Sequence, residues 1–173
     1  MKIAVIGYSG SGKSTLSKIL GEKFNAPVLY IDKVHWLSGW KENDAQSKEK
    51  AVLDFLDNNS SWVIDGNYHR LFWDRRMKEA DKIIFMNFNR FSCFARVVKR
   101  VAENKGKTRE SMTDGCNEKL DAEFASWILF KSRGRHYKQK FRKTISENKE
   151  KVITVKTQKQ LDRLIANLDA LAE

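Results

Sequence analysis

Gly7, Gly12, Lys13 and Ser14 occupy every fixed position of G-x-x-x-x-G-K-S, and the apolar run Ile3-Ala4-Val5-Ile6 leads straight into them. This spacing has a chemical reason. Glycines let the backbone wrap closely enough for successive N–H groups to face phosphate oxygens. Lys13 then reaches the β- and γ-phosphates, Ser14 offers a hydroxyl to Mg²⁺, and a helix starting near Lys13 aims its positive end at the same anion. Leu16, Ile19, Leu20 and Phe24 follow at helical spacing, so the order is strand, glycine loop, helix. The G-x-G-x-x-G spacing of a dinucleotide fold is not met by Gly7, Gly10 and Gly12. The candidate nucleotide-binding residues are Gly7, Ser9, Gly10, Ser11, Gly12, Lys13, Ser14 and Thr15, with ATP and Mg²⁺ as the implied ligands.

Four more short apolar runs share the β-branched character of the first: Val28–Ile31, Trp62–Ile64, Ile83–Met86 and Val152–Val155. Strands covered on both faces look like this. Helical patterns separate them at 13–24, about 45–57, 90–103, 120–143 with a break at Gly134, and 158–171. The expected fold is a three-layer α/β P-loop domain over residues 1–173, with five parallel strands in the order 2-3-1-4-5. Residues 33–61 form an acceptor-side insert. Residues 104–135 form a lid-like segment, of which the polar, aperiodic stretch 104–119 reads as mobile. A chain of 173 residues with 41% apolar content is long enough for a real core. No apolar stretch reaches membrane-spanning length, and Cys93 and Cys116 lack metal-site spacing. A cytoplasmic protein is expected.

Ligands in such sheets sit beyond the carboxyl ends of the strands. Asp32 and Asp65 end the second and third runs. A carboxylate there can hold Mg²⁺ or take the proton of an attacking hydroxyl; each could equally be a cap or turn residue. Ser14 and Asp65 are the expected metal ligands. The net charge is +11, with basic blocks at 90–109 and 131–143. Such blocks attract polyanions, whether nucleotide phosphates or nucleic acid, or form a solvated face.

These motifs resemble the adenylate-kinase-like branch of P-loop kinases. The stretches from Ile31 through Trp40, from Trp62 to Tyr68, and from Gly115 through Phe124 and Trp127 resemble more particularly the DNA topology modulation (FlaR-related) proteins. The resemblance implies a nucleotide-kinase core. Adenylate kinases carry Asp-Gly-x-Pro-Arg where this chain reads Asp65-Gly66-Asn67-Tyr68-His69-Arg70, and residues 33–61 contain no arginine. Lysine lacks the guanidinium fork that clamps a phosphate, which speaks against AMP as acceptor. The acceptor residues are expected to be Asp32, His35, Trp36, Trp40, Asp65, Asn67 and Tyr68.

The catalytic set is expected to be Lys13, Asp32, Arg96, Arg100, Arg133 and Arg135. Arg96 and Arg100 lie four apart on α-helical spacing, opposite an apolar face of Phe91, Phe94, Val98 and Val101. Two functions compete. One is Mg²⁺-ATP-dependent transfer to a small hydroxyl- or phosphate-bearing acceptor. The other is a nucleic-acid binder that uses ATP as a switch through residues 131–143. The guanine-specifying Asn-Lys-x-Asp of a GTPase is not present, because Asn104–Lys107 and Asn148–Lys151 both end in lysine.

Overall fold

Ile3, Ala4, Val5 and Ile6 have no exposed surface, so β1 (Lys2–Gly7) runs through the middle of the molecule. The structure is a computed structural model that describes residues 1–104 and 106–171. Four further strands join β1, all parallel: β2 (Val28–Tyr30), β5 (Trp62–Asp65), β6 (Lys82–Met86) and β7 (Val152–Val155). Their order is β2-β5-β1-β6-β7. β5 and β6, which flank β1, are nearly all buried, whereas the edge strands β2 and β7 are mostly half-buried.

The expected order 2-3-1-4-5 counts five strands. The described residues form seven, because the insert at 33–61 forms a short antiparallel hairpin of β3 (Trp36–Leu37) and β4 (Lys41–Glu42). Two-residue strands carry no alternation to detect, and their turn depends on Gly39 and Trp40 adopting positive φ.

Helices cover the sheet: α1 (Lys13–Lys23), α2 (Ile31–His35), α3 (Ala45–Asn58), α4 (Trp73–Glu79), α5 (Arg90–Glu103), α6 (Ala122–Leu129), α7 (Arg135–Glu147) and α8 (Gln158–Ala166). Side-chain caps start four of them: Asp44 accepts from Ser47 N, Asn89 from Ser92 N, Asp121 from Phe124 N and Thr157 from Gln160 N. The expected helix at 120–143 is two helices broken by a 3₁₀ turn at Lys131–Arg133. The short helices α2 and α4 fall outside the expected helical patterns. Seven residues or fewer show too little periodicity to register.

Of the apolar face expected for α5, Phe94 and Val101 pack partly buried against the core, while Phe91 and Val98 do not. Cys93 and Val97 are its buried residues, while Phe91 is 73% exposed and Val98 43%. The helix is rotated from the expected orientation, which brings Arg96 against the glycine loop. Among the described residues no helix is long and apolar enough to cross a membrane, and both cysteines are free.

Candidate functional site

The glycine loop closes because its backbone approaches other chain too tightly for any side chain. Gly7 has φ +138, and a Cβ there would strike the Met86 carbonyl; Gly10 has φ +77, and a Cβ would lie 2.5 Å from Cys93 O. Gly12 caps α1 in the left-handed region without a side-chain hydrogen bond. The first backbone N–H groups of α1 therefore keep their capacity to meet an anion.

The loop is anchored from several elements. Asn67 accepts from Gly7 N at 2.9 Å and donates Nδ2 to Gly7 O at 2.6 Å. Arg96 donates to Ser11 O at 2.8 Å and to Gln158 Oε1 at 2.7 Å, with its guanidinium 4.0 Å from the centre of the Phe88 ring. Arg133 lies 3.8 Å over the Tyr8 ring and donates to Phe88 O at 2.8 Å. Ser9 Oγ accepts from Trp127 Nε1 at 3.3 Å. Ser11 is buried and Thr15 exposed.

Lys13 and Ser14 open α1. Lys13 Nζ donates to Tyr8 O at 3.2 Å. Ser14 Oγ donates to Asp65 Oδ2 at 2.7 Å, joining α1 to the end of β5. Asp65 is 6% exposed. Burial raises its pKa, opposed by the Lys13 charge and the Ser14 hydrogen bond. A hydroxyl and a buried carboxylate side by side are hard oxygen donors of the kind Mg²⁺ takes, usually with phosphate oxygens and water completing its shell. Among the described residues no group of three or more His, Cys, Asp or Glu is placed so that it could hold a metal ion.

Across the strand ends, Asp32 sits in the first turn of α2, not in the loop after a strand. Tyr68 donates its hydroxyl to Asp32 Oδ1 at 2.7 Å. The His35 ring lies 4.6 Å from both Trp36 and Tyr68, and Trp36 lies 5.7 Å from Trp40. Burial lowers the His35 pKa, with Lys48 acting in the same sense. Most of the expected acceptor residues thus converge on one aromatic-lined face. Asp65 and Asn67 are the exceptions, since Asp65 lies against Ser14 at the glycine loop and both ends of the Asn67 amide serve Gly7.

The described part of the 104–119 stretch is docked rather than free of partners. Thr113 Oγ1 donates to Trp36 O at 2.6 Å, Cys116 Sγ to Leu37 O, Gly39 N to Gly115 O, and Trp40 Nε1 to Asn117 O. Lys18 pairs with Glu110 at 2.6 Å. The Glu118 side chain, 3% exposed, takes Arg100 Nε at 3.0 Å on one oxygen and Arg109 Nε on the other. The docking uses polar contacts, which apolar periodicity does not report. Lys105 in this stretch, like residues 172 and 173, lies outside the described residues.

The expected arginines therefore divide. Arg96 and Arg133 touch the glycine loop, Arg100 is paired with Glu118, and Arg135 is exposed at the start of α7. Sequence reasoning missed Arg109, Glu118 and the wholly buried Arg76, whose Nη1 and Nη2 donate to Gly66 O and Tyr68 O. Backbone acceptors leave no pattern in a sequence.

A family model described as an AAA domain matches residues 3–124. A comparison with curated proteins gave no match. Among solved structures, shikimate kinase from Bacteroides thetaiotaomicron superposes with a TM-score of 0.53 at 16% identity, covering 99% of this chain and 98% of that one. Deoxyadenosine kinase from M. mycoides with bound dATP gives 0.58 at 15% identity, covering 98% and 100%. The same enzyme with dCMP and a flexible dCDP gives 0.52 at 13%, again covering 98% and 100%. At these identities the likeness is one of fold.

Proposed function

Because this chain belongs to the AAA domain family and folds like P-loop kinases, we propose that it is a Mg²⁺-dependent kinase of the adenylate-kinase-like branch. It binds ATP at residues 7–15 and transfers the γ-phosphoryl group to a hydroxyl of a small acceptor. The observation that carries this reading is the division of labour between two carboxylates. Asp65 lies against Ser14 at the glycine loop, and Asp32 lies on the aromatic face beyond it.

Phosphoryl transfer asks the protein mainly to position the reactants and to balance charge. The loop amides and Lys13 hold the phosphates, and Ser14 and Asp65 would hold Mg²⁺. The ion, when bound, neutralises charge on phosphate oxygens. His35, Trp36 and Trp40 present the acceptor, whose hydroxyl proton passes to Asp32. Arg96 and Arg133, the two arginines that touch the glycine loop, supply positive charge there. The three solved structures, of two enzymes, are all named as kinases, which supports the reaction class without naming this acceptor.

The test is ADP release from ATP across a panel of nucleosides, nucleotides and hydroxy acids, run alongside Lys13→Ala. Lys13 makes its one recorded hydrogen bond within the loop, so the variant should melt like the native chain while losing ATP-dependent turnover. Native ATP affinity in a folded Lys13→Ala would remove the glycine loop from the reading.

A further inference from the structure

Arg76 is wholly buried on α4, and among the described residues it has no ion-pair partner. Burial lowers its pKa. A guanidinium in such a place is costly unless its N–H groups are used. Two of its nitrogens are used on backbone, while Nε is buried without a partner: Nη1 donates to Gly66 O at 3.1 Å and Nη2 to Tyr68 O at 2.7 Å, and the ion lies 5.3 Å from the Trp73 ring. Two carbonyls two residues apart are thereby fixed to one rigid plane. Tyr68 leaves this bracket with its ring beside His35 and its hydroxyl 2.7 Å from Asp32 Oδ1.

We propose that Tyr68, held by Arg76, is a positioning residue that fixes the Asp32 carboxylate so that its second oxygen faces the acceptor hydroxyl. The inference rests on the kinase reading and adds to it a residue that touches neither ATP nor the acceptor's reacting atom. In the step it serves, the acceptor O–H gives its proton to Asp32 Oδ2, the acceptor oxygen bonds to the γ-phosphorus, and the bond from that phosphorus to the β–γ bridging oxygen breaks, leaving ADP. Tyr68 keeps its own proton throughout. Burial raises the Tyr68 pKa, and the Asp32 charge and their hydrogen bond raise it further, so the phenol remains a donor. The charged or titratable groups that feel the Asp32 charge are Tyr68, His35, Asp65 and Arg100.

The experiment uses the full chain, with ATP and deoxyadenosine as the acceptor probe and water alone as the baseline. Tyr68→Phe keeps the ring and removes the donor. It should lower kcat by about tenfold to a hundredfold, the range expected when a reacting group is mispositioned, with the KM for ATP unchanged. In an Asp32→Asn background the same change should add no further loss. Arg76→Lys, which cannot hold both carbonyls, should show part of the same kcat loss, again with the KM for ATP unchanged. A Tyr68→Phe enzyme with unchanged kcat, or an equal loss in the Asp32→Asn background, overturns the proposal. If the wild-type chain does not phosphorylate deoxyadenosine, that acceptor is excluded, and the kinase reading falls separately only when no member of the wider panel is turned over. The Tyr68–Asp32 coupling is then read from urea unfolding of the two single variants and the double variant, and additive losses overturn it.

Discussion

One side-chain amide holds both polar groups of one glycine: Asn67 accepts from Gly7 N and donates to Gly7 O, at 2.9 and 2.6 Å. Gly7 begins the phosphate loop, and Asn67 follows β5 by two residues. The loop is thus tied sideways to the neighbouring strand's exit, and its conformation does not depend on a bound anion alone.

Asn67→Ala should therefore act on the loop before the acceptor. It leaves a buried N–H and a buried C=O without partners, a loss of about 1–3 kcal/mol each at most. The expected outcome is weaker ATP binding by calorimetry together with a lower melting temperature. Unchanged ATP affinity with an altered acceptor KM would return Asn67 to the acceptor site.

Asp65→Asn should separate stability from metal use. Its carboxyl is raised by burial, so the folded state binds the proton more tightly than the unfolded chain does. The sign follows: the charged form costs stability above the folded pKa, and the cost is relieved as pH falls through it. Removing the charge should leave the melting temperature of the nucleotide-free protein equal or higher. The enhancement of ATP binding by Mg²⁺ should vanish. A marked destabilisation with Mg²⁺ dependence intact would make Asp65 a structural partner of Ser14 only.

Acid should weaken the fold through His69. Its ring stacks on Trp73 at 3.9 Å, and burial, with Lys140, Arg76 and His136, lowers its pKa to about 4. The unfolded chain takes the proton first, near an ordinary histidine pKa of about 6.5. Stability from the neutral ring is thus complete above that pH and is lost as pH falls toward 4. Urea midpoints should drop across this window in the wild-type chain and drop less in His69→Gln. His35, shifted in the same direction, leaves a residual slope.

Glu118 should prove to be the tie of the 106–119 segment. Its buried carboxylate stands between Arg100 and Arg109, and its loss leaves two like charges facing each other. Breaking a buried pair costs about 3 kcal/mol. Glu118→Ala should lower the urea midpoint and speed amide exchange at 106–119, while exchange in β1 and β6 stays slow. Uniform behaviour across the chain would mean that the segment is held by its contacts to β3 and Trp40 instead.

The strand–loop–helix unit was legible because its constraints are local. Four apolar residues in a row, glycines at fixed intervals and a lysine–serine pair each follow from bonds within about a dozen residues of chain. The five sheet strands and the placing of Asp32 and Asp65 at one edge came from the same kind of signal. The face of α5 did not, because Phe91 and Val98 satisfy helical periodicity equally well whether they meet the core or solvent. Only packing against the glycine loop decided that Cys93 and Val97 turn inward.

What the sequence determined by itself is therefore a phosphate-binding loop on a parallel sheet with two carboxylates beyond its strands. The tertiary structure decided which partner each polar side chain takes. Asn67 goes to Gly7, Arg76 to two carbonyls, Tyr68 to Asp32, and Glu118 to two arginines. The hairpin at Trp36–Glu42 and the docking of residues 113–117 on it belong to the same class. The physical reason is that these contacts are paid for by desolvation at a single point in space. Their partners are often backbone atoms from distant residues, and a backbone carbonyl has no letter in the sequence.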